Sequence, residues 1–166
     1  MDNDDAILIA RALRGNTNLS ELHLDDNDLT EKGNNALSNA IYDPTSLNSV
    51  VDCNHVCNID GIGLVDIPNN NNNRGSKVNR ARKIYHLLSK RNREGNNVYH
   101  LNLEFDDEDG SLALVPNVLA SVHQYYHGSM FAQPSDQVRP LSIMYEILRS
   151  WKMPQLYECR GMTTKK

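Results

Sequence analysis

The sequence predicts an α/β fold: a short solenoid of strand–turn–helix repeats in residues 1–68, an asparagine-rich linker in residues 69–76, and a mostly helical extension in residues 77–166. Two observations predict the solenoid. Leucines within residues 19–24 are spaced as in a strand, whereas the apolar residues of 36–41 have helical spacing. The pattern also recurs, with imperfections, at a period of about 28 residues.

The chain opens on a segment with helical periodicity, ILIARALRGN in residues 7–16. When the sequence is shifted by about 28 residues, the apolar positions of this segment coincide with those of a later helix. The coinciding pairs are Ile9 with Leu37, Ala12 with Ala40, and Leu13 with Ile41. We therefore interpret the segment as the helix of a preceding repeat. The chain is then either the C-terminal part of a longer array, which we favour, or a short array whose open edge is covered by later residues.

Residues 19–41 contain one clean repeat. Because side chains alternate along a strand, we expect Leu22 and Leu24 to be buried and their neighbours to face solvent. Those outward neighbours are Glu21, His23 and Asp25. Asn27 follows at the turn, where its amide pairs with backbone groups, and Thr30 suits the start of the helix. Gly33 lies near this helix entry, and the small residues that allow the helix to lie close to its neighbours are Ala36 and Ala40.

A degraded repeat follows the clean one. A shift of about 28 residues aligns Leu22 with Val50, and therefore predicts a strand in which Ser49 and Val51 face solvent. Asp52 then stands where the first strand has an apolar residue. The same alignment pairs Leu29 with Cys57 and Gly33 with Gly61.

The organisation changes after the repeats. The polar run of residues 69–73 has no core-forming side chains, which predicts a flexible domain boundary. We then expect a basic helix over about residues 78–90, ended near Gly95. The three segments that follow are a short strand in VYHLNLEF, a helix from Pro116 to about Tyr126, and a helix in LSIMYEILRSWKM.

The unit NLSELHLDDNDLTEKGNNALSNAI resembles a leucine-rich repeat of the ribonuclease-inhibitor-like subtype. The segments KVNRARKIYHLLSKRNREG and LSIMYEILRSWKMPQLYE are similar to the tails of algal and diatom leucine-rich repeat proteins. The resemblance implies a solenoid whose concave face binds another protein. The residues that we expect to bind this partner are Glu21, His23, Asp25, Ser49 and Val51. An uncapped repeat edge would also offer a route to self-association.

Charge is distributed unevenly along the chain. Residues 1–68 hold twelve acidic and three basic side chains, a net charge of −9, whereas residues 74–93 hold eight basic and no acidic ones. The acidic repeats favour a partner protein with a basic surface. One alternative is nucleic-acid binding through the basic helix of residues 77–93, although the net charge of −4 for the whole chain disfavours it. The other is a regulatory module, since repeats of this subtype occur in activators of small GTPases.

Three clusters contain metal-ligating residue types, and each has a plainer interpretation. The first comprises Cys53, His55 and Cys57. It lacks the second ligand pair of a structural zinc site, and Cys57 suits the core. His123 and His127 are four residues apart but lack the glutamate of a zinc protease, and the acidic residues 106–109 lack the EF-hand pattern. We therefore expect a protein that is not an enzyme and has no catalytic residues, metal or cofactor.

Cysteine content and hydropathy bear on the compartment. Three cysteines without disulfide-rich spacing are typical of a reducing compartment. No apolar run in the sequence approaches the ~18 residues of a membrane span, and the acidic N-terminus is unlike a signal peptide. We expect a cytoplasmic protein, with the nucleus as the alternative, and no membrane partner.

Overall fold

The computed structural model describes residues 1–62, 68–73 and 75–105, together with residues 116, 118–120 and 122–123. The chain divides into two compact units, Met1–Leu87 and Leu88–Lys166. The elements in chain order are α1 (Asn3–Arg14), β1 (Glu21–His23), α2 (Glu31–Ile41), α3 (Leu47–Val51), β2 (Asn58–Asp60), α4 (Gly75–Arg93) and α5 (Asn97–Phe105). Pro116 and the described residues after it are helical, as predicted, whereas the helix predicted in LSIMYEILRSWKM lies outside the described residues.

Helix α1 begins with a complete capping box. The Asp2 carboxylate accepts hydrogen bonds from the backbone N–H groups of Asp4 and Asp5, and the Asp5 carboxylate accepts one from the N–H of Asp2. These contacts satisfy donors that a helix N-terminus otherwise leaves unpaired, and the negative charges complement the helix dipole. The helix predicted from apolar spacing is thus also specified by its first polar residues.

Helices α1 and α2 pack closely because Gly33 has no side chain. A Cβ atom at this position would lie 2.6 Å from Oδ1 of Asn3 and 3.3 Å from Cβ of Ala6. Oδ1 of Asn3 instead accepts hydrogen bonds from the backbone N–H groups of Thr30 and Gly33. The predicted helix start at Thr30 is confirmed, although Asn3 supplies the cap that the Thr30 side chain does not. Close packing was predicted for Ala36 and Ala40, whereas the close approach to α1 is made at Gly33.

Strands β1 and β2 pair in parallel, with Leu22 opposite Ile59. Paired residues are therefore 37 positions apart, and the predicted alignment of Leu22 with Val50 is wrong. Val50 lies in α3, where the Ser46 hydroxyl accepts a hydrogen bond from the Ser49 N–H at 2.9 Å. This cap stabilises a helical turn in spite of the β-branched residues, so a short helix stands where a strand was predicted.

The core of the first unit lies between α1, α2 and the inner face of the sheet. Leu24 and Ile59 are 5% and 1% exposed, and Leu22 is partly buried, as predicted for the apolar positions of alternating strands. The buried helical residues that face them are Ala6, Ala10, Leu13, Leu37, Ala40 and Ile41. Because this core orients the sheet, it also determines which side chains of β1 and β2 point towards solvent.

Residues 69–73 differ from the flexible linker predicted for them. Asn70 is 6% exposed, and its Nδ2 donates hydrogen bonds to the backbone oxygens of Asn54 and Cys57. An amide side chain with two donors can bridge two carbonyl groups, so a run without apolar residues still anchors itself to the fold. The division between the two units falls after Leu87, within α4.

Helix α4, Gly75–Arg93, confirms the basic helix predicted over about residues 78–90. Gly95, with a φ of 72°, follows it in the left-handed conformation that ends many helices. Helix α5 contradicts the strand predicted in VYHLNLEF. Leu101 is 3% exposed but Leu103 is 58% exposed, so the apolar alternation does not correspond to one buried face.

Candidate functional site

The outward side of the sheet brings together side chains from both strands. Glu21 and His23 are exposed on β1. Asn58 and Asp60 lie beside them on β2, because Glu21 pairs with Asn58 and His23 with Asp60. Asp25 is exposed two residues after the end of β1. We call these five residues the acidic face.

His23 lies between two carboxylates of the acidic face. Its Nδ1 is 3.4 Å from Oδ2 of Asp60, and its Nε2 is 3.8 Å from Oε2 of Glu21. The side chains of His23, Glu21 and Asp60 are 63%, 56% and 48% exposed. Exposed ion pairs contribute only about 0–1 kcal/mol, so these contacts leave both carboxylates accessible to a competing cationic group.

Two amide side chains orient the carboxylates. Nδ2 of Asn72 donates to Oε1 of Glu21 at 2.8 Å, and Nδ2 of Asn58 donates to Oδ1 of Asp60 at 3.2 Å. Amides donate hydrogen bonds without adding charge, so the acidic face is ordered but remains negative. Asn72 belongs to the asparagine run and lies far from Glu21 in sequence, so no local sequence pattern predicted this hydrogen bond.

Asn27 organises the turn that follows β1. Its Nδ2 donates to the backbone oxygens of Leu24 and Asp25 at 2.9 and 3.2 Å. Asp26 adopts the left-handed conformation, with a φ of 58°, which aspartate tolerates better than most residues. The predicted pairing of Asn27 with backbone groups is confirmed, and the turn keeps the exposed Asp25 next to the strand.

Ser49 and Val51, which were predicted to lie on the second strand, are not part of the acidic face. Both lie in α3 and are partly buried. Asn58 and Asp60 hold the positions on the second strand that were predicted for Ser49 and Val51. The signal was present in the sequence, since NID in β2 repeats the polar–apolar–polar pattern of ELH in β1, but the assumed 28-residue period concealed it.

The C-x-H-x-C segment makes separate contacts instead of a common site. The N–H of Asp43 donates to Sγ of Cys53 at 3.2 Å, and Nε2 of His55 donates to the backbone oxygen of Val51 at 3.1 Å. Burial raises the pKa of the Cys53 and Cys57 thiols, which favours their unreactive protonated form. Cys57 is fully buried in the core, as predicted. Within the described ranges, no three His, Cys, Asp or Glu residues are grouped so as to hold a metal ion.

A second polar cluster connects the ends of two helices with α4. Nδ2 of Asn54 donates to the backbone oxygen of Leu13, in the last turn of α1, at 2.6 Å. Nζ of Lys83 donates to the backbone oxygen of Ile41, the last residue of α2, and to that of Asn54 at 2.8 Å. Leu13 and Ile41 are one of the pairs aligned by the 28-residue shift. The ends of two equivalent helices thus each accept a hydrogen bond from a side chain later in the sequence, and the Leu13 oxygen also accepts one from the N–H of Asn16.

Lys83 is difficult to charge in this position. It is 1% exposed, and burial lowers the pKa of Lys83 to about 7; the nearby Cys53 opposes this shift, while Arg82 adds to it. Burial also lowers the pKa of His55 to about 4, and Lys83 adds to that effect. The sequence grouped Lys83 with the basic side chains of α4. Lys83 lies four residues before Leu87, which is 2% exposed, so the two residues share the inward side of the helix.

No family model, curated protein or solved structure matches this chain. Among the helices of the described ranges, none is both long enough and apolar enough to cross a membrane. His123 is helical and exposed, whereas His127 and the acidic residues 106–109 lie outside the described residues. The functional interpretation therefore depends on the geometry of the acidic face and of the Lys83 cluster.

Proposed function

We propose that this protein is a non-catalytic scaffold that binds another protein through the acidic face. The observation that carries the proposal is the parallel pairing that sets Glu21 and His23 beside Asn58 and Asp60. Carboxylates that are exposed yet oriented by amide donors suit charge-assisted hydrogen bonds with lysine and arginine. Because the strands are held by a packed core, little ordering is needed on binding. The partner is therefore a protein with a basic surface.

We also propose that residues 1–68 are a short leucine-rich repeat array of the ribonuclease-inhibitor-like subtype. The proposal is supported by the parallel β1 and β2, by the helices that connect them, and by the packing of α1 on α2. In such solenoids each repeat contributes a strand to a continuous sheet, and the outward strand residues form an extended binding surface. The acidic face corresponds to that surface.

The compartment is part of the same proposal. Cys53 and Cys57 are free, buried thiols in the described part of the chain. Reduced cysteines suit a reducing compartment, and they support a cytoplasmic location.

Nucleic-acid binding through α4 has weaker support than protein binding. Lys83 and Arg91 are 1% and 3% exposed, and Nη2 of Arg91 pairs with Oε1 of Glu104 at 2.8 Å. Basic groups that are buried and engaged within the protein do not neutralise phosphates. Activation of a small GTPase remains an alternative, because such a partner would use the same sheet surface.

The proposal is tested by neutralising the acidic face without changing its shape. The double variant Glu21→Gln with Asp60→Asn removes two charges and retains side chains of matching size. Partners captured by the wild-type chain should bind this variant about 10-fold to 100-fold more weakly in calorimetric titrations, because each charge contact across an interface contributes on the order of 1 kcal/mol.

Asp52→Asn provides a matched control, since Asp52 is an exposed carboxylate at the end of α3, outside the sheet. It should leave partner affinity unchanged. Equal affinities for the wild type, the face variant and the control would rule out the acidic face as the binding surface. Circular dichroism establishes beforehand that the variants are folded.

A further inference from the structure

We propose that Lys83 makes the docking of the first part of α4, residues 75–87, against the helix ends of the first unit depend on pH. The neutral amine holds this segment in place, and protonation loosens it. The inference concerns the internal docking of α4 and does not depend on the proposed partner of the acidic face.

The hydrogen-bond geometry around Lys83 suits a neutral amine. A neutral amine has two N–H groups, and Nζ has two backbone acceptors, the oxygens of Ile41 and Asn54. An ammonium group would bring a third N–H and a full charge. In the described part of the chain, no carboxylate forms an ion pair with Lys83. Withdrawing an uncompensated charge from water is costly, so protonation opposes this arrangement.

Lys83 lies in the middle of the contacts that α4 makes within the first unit. About one turn before it, Nδ2 of Asn79 donates to the backbone oxygen of His55 at 3.0 Å. About one turn after it, Nδ1 of His86 is 3.1 Å from the Tyr42 hydroxyl. These contacts do not require Lys83 to be neutral. A change of charge at Lys83 therefore weakens the docking of residues 75–87 without removing every contact.

The two ionisable groups next to Lys83 from other segments, Cys53 and His55, stay uncharged near neutral pH, and His86 lies one turn along the same helix. The ionisable groups that interact with Lys83 or with its neighbours are Cys53, His55, Arg80, Arg82, Asp43 and Arg14. Burial raises the pKa of Cys53 above its ordinary value of 9.0, and the pKa of His55 is about 4. Asp43 pairs with Arg14 at 3.6 Å. Cys53 and His55 thus remain neutral between about pH 6 and pH 8.5.

Burial makes docking depend on pH in a definite direction. The pKa of Lys83 is about 7 in the docked position, compared with 10.5 for an ordinary lysine. Between these values docking releases a proton, so docking strengthens as the pH rises, by at most tenfold per pH unit. Below about pH 7 the side chain is protonated in both states, and docking stays at its weakest level. Acidification from about pH 8 to pH 7 therefore loosens α4.

Amide hydrogen exchange of the full chain measures this docking directly. Protection of peptides covering residues 76–87 is followed from about pH 6.5 to pH 9, with correction for the intrinsic exchange rate at each pH. In the wild type, we expect protection to rise by up to about tenfold per pH unit above pH 7 and to be constant below it. Lys83→Met should abolish the rise, whereas Lys77→Met, which removes an exposed lysine of the same helix, should retain it.

Lys83→Arg adds a test of charge alone, because arginine keeps hydrogen-bond donors but stays protonated. It should show the low protection of acidic pH throughout the range. If Lys83→Met does not fold, the lysine side-chain carbon signals of the wild type are titrated by NMR, and one should change with a midpoint near 7. An equal rise in protection in the wild type and the Lys83 variants, or the absence of any lysine titrating below about pH 9, would overturn the proposal.

Discussion

Nζ of Lys83 lies 2.8 Å from the backbone oxygen of Asn54. The side chains of these two residues donate hydrogen bonds to the C-terminal ends of two successive helices. The Asn54 amide donates to Leu13 in α1, and the Lys83 amine donates to Ile41 in α2. Both side chains donate to carbonyl groups in the last turn of a helix, and the Leu13 oxygen also accepts a hydrogen bond from the N–H of Asn16. The amide is neutral at every pH, whereas the amine titrates. Of these two contacts at helix ends, only the one made by Lys83 therefore depends on pH.

Replacing Asn54 should destabilise the first unit strongly. Its side chain donates to the backbone oxygens of Leu13 and Asn16 and accepts from the N–H groups of Val56 and Cys57. Asn54→Ala removes these four hydrogen bonds, of which those to Leu13 and Cys57 are buried, so we expect a loss of about 2–4 kcal/mol in the free energy of unfolding. Urea unfolding followed by circular dichroism measures it. Asn35→Ala, at an exposed position of α2, should change the free energy by less than about 1 kcal/mol; equal losses in the two variants would contradict the prediction.

Gly61 should not tolerate a side chain. It has a φ of 80°, and a Cβ atom would lie 2.6 Å from the carbonyl carbon of Leu24 and closer still to the nitrogen of Asp25. Gly61→Ala therefore forces the turn after β2 away from β1 and should cost about 2 kcal/mol or more. Gly15→Ala is the control, because nothing lies within 4 Å of its added Cβ. Thermal unfolding distinguishes the two, and an unchanged melting temperature for Gly61→Ala would show that the close approach is absent in solution.

Stability should fall in mild acid because of His55. The pKa of His55 is about 4 in the folded chain, against an ordinary value of 6.5. The unfolded chain therefore binds a proton first as the pH decreases, and stability present above pH 6.5 is lost down to about pH 4, by at most about 1.4 kcal/mol per pH unit. His55→Gln should reduce this loss, as measured by urea unfolding at about pH 7, 5.5 and 4.5. The control His23→Gln, on the exposed acidic face, should retain it; matching pH profiles for His55→Gln and the wild type would refute the assignment.

The pairing of Arg91 with Glu104 should stabilise the second unit. Nη2 of Arg91 is 2.8 Å from Oε1 of Glu104, and the side chains are 3% and 14% exposed. Glu104→Gln removes the negative charge while the guanidinium stays buried, so we expect a loss of about 3 kcal/mol. Reduced hydrogen-exchange protection in α5 reports the effect locally. Glu94→Gln, at an exposed carboxylate of the same unit, should leave that protection unchanged, and equal protection in both variants would argue against the pairing.

Local patterns were sufficient for most of the helices. The apolar spacing and polar starts of α1 and α2, and the spacing of α4, act over a few residues, so they are readable without knowledge of the fold. The same holds for Glu21, His23 and Asp25, whose outward position follows from strand alternation. VYHLNLEF was ambiguous, because a short alternating segment does not exclude a helix, and the observed helix α5 buries Leu101 but not Leu103.

The sequence by itself thus determined that α1, α2 and α4 are helical and which side of β1 faces solvent, because periodicity and capping are local properties, whereas the helices α3 and α5 were predicted as strands. Only the tertiary structure decided that Leu22 pairs with Ile59 and that Asn72 joins Glu21. A strand register depends on the whole connection, and the Ser46-capped helix α3 displaced it beyond the expected period. The protonation of Lys83 likewise depends on the tertiary structure, because segments that are remote in sequence exclude water from its amine.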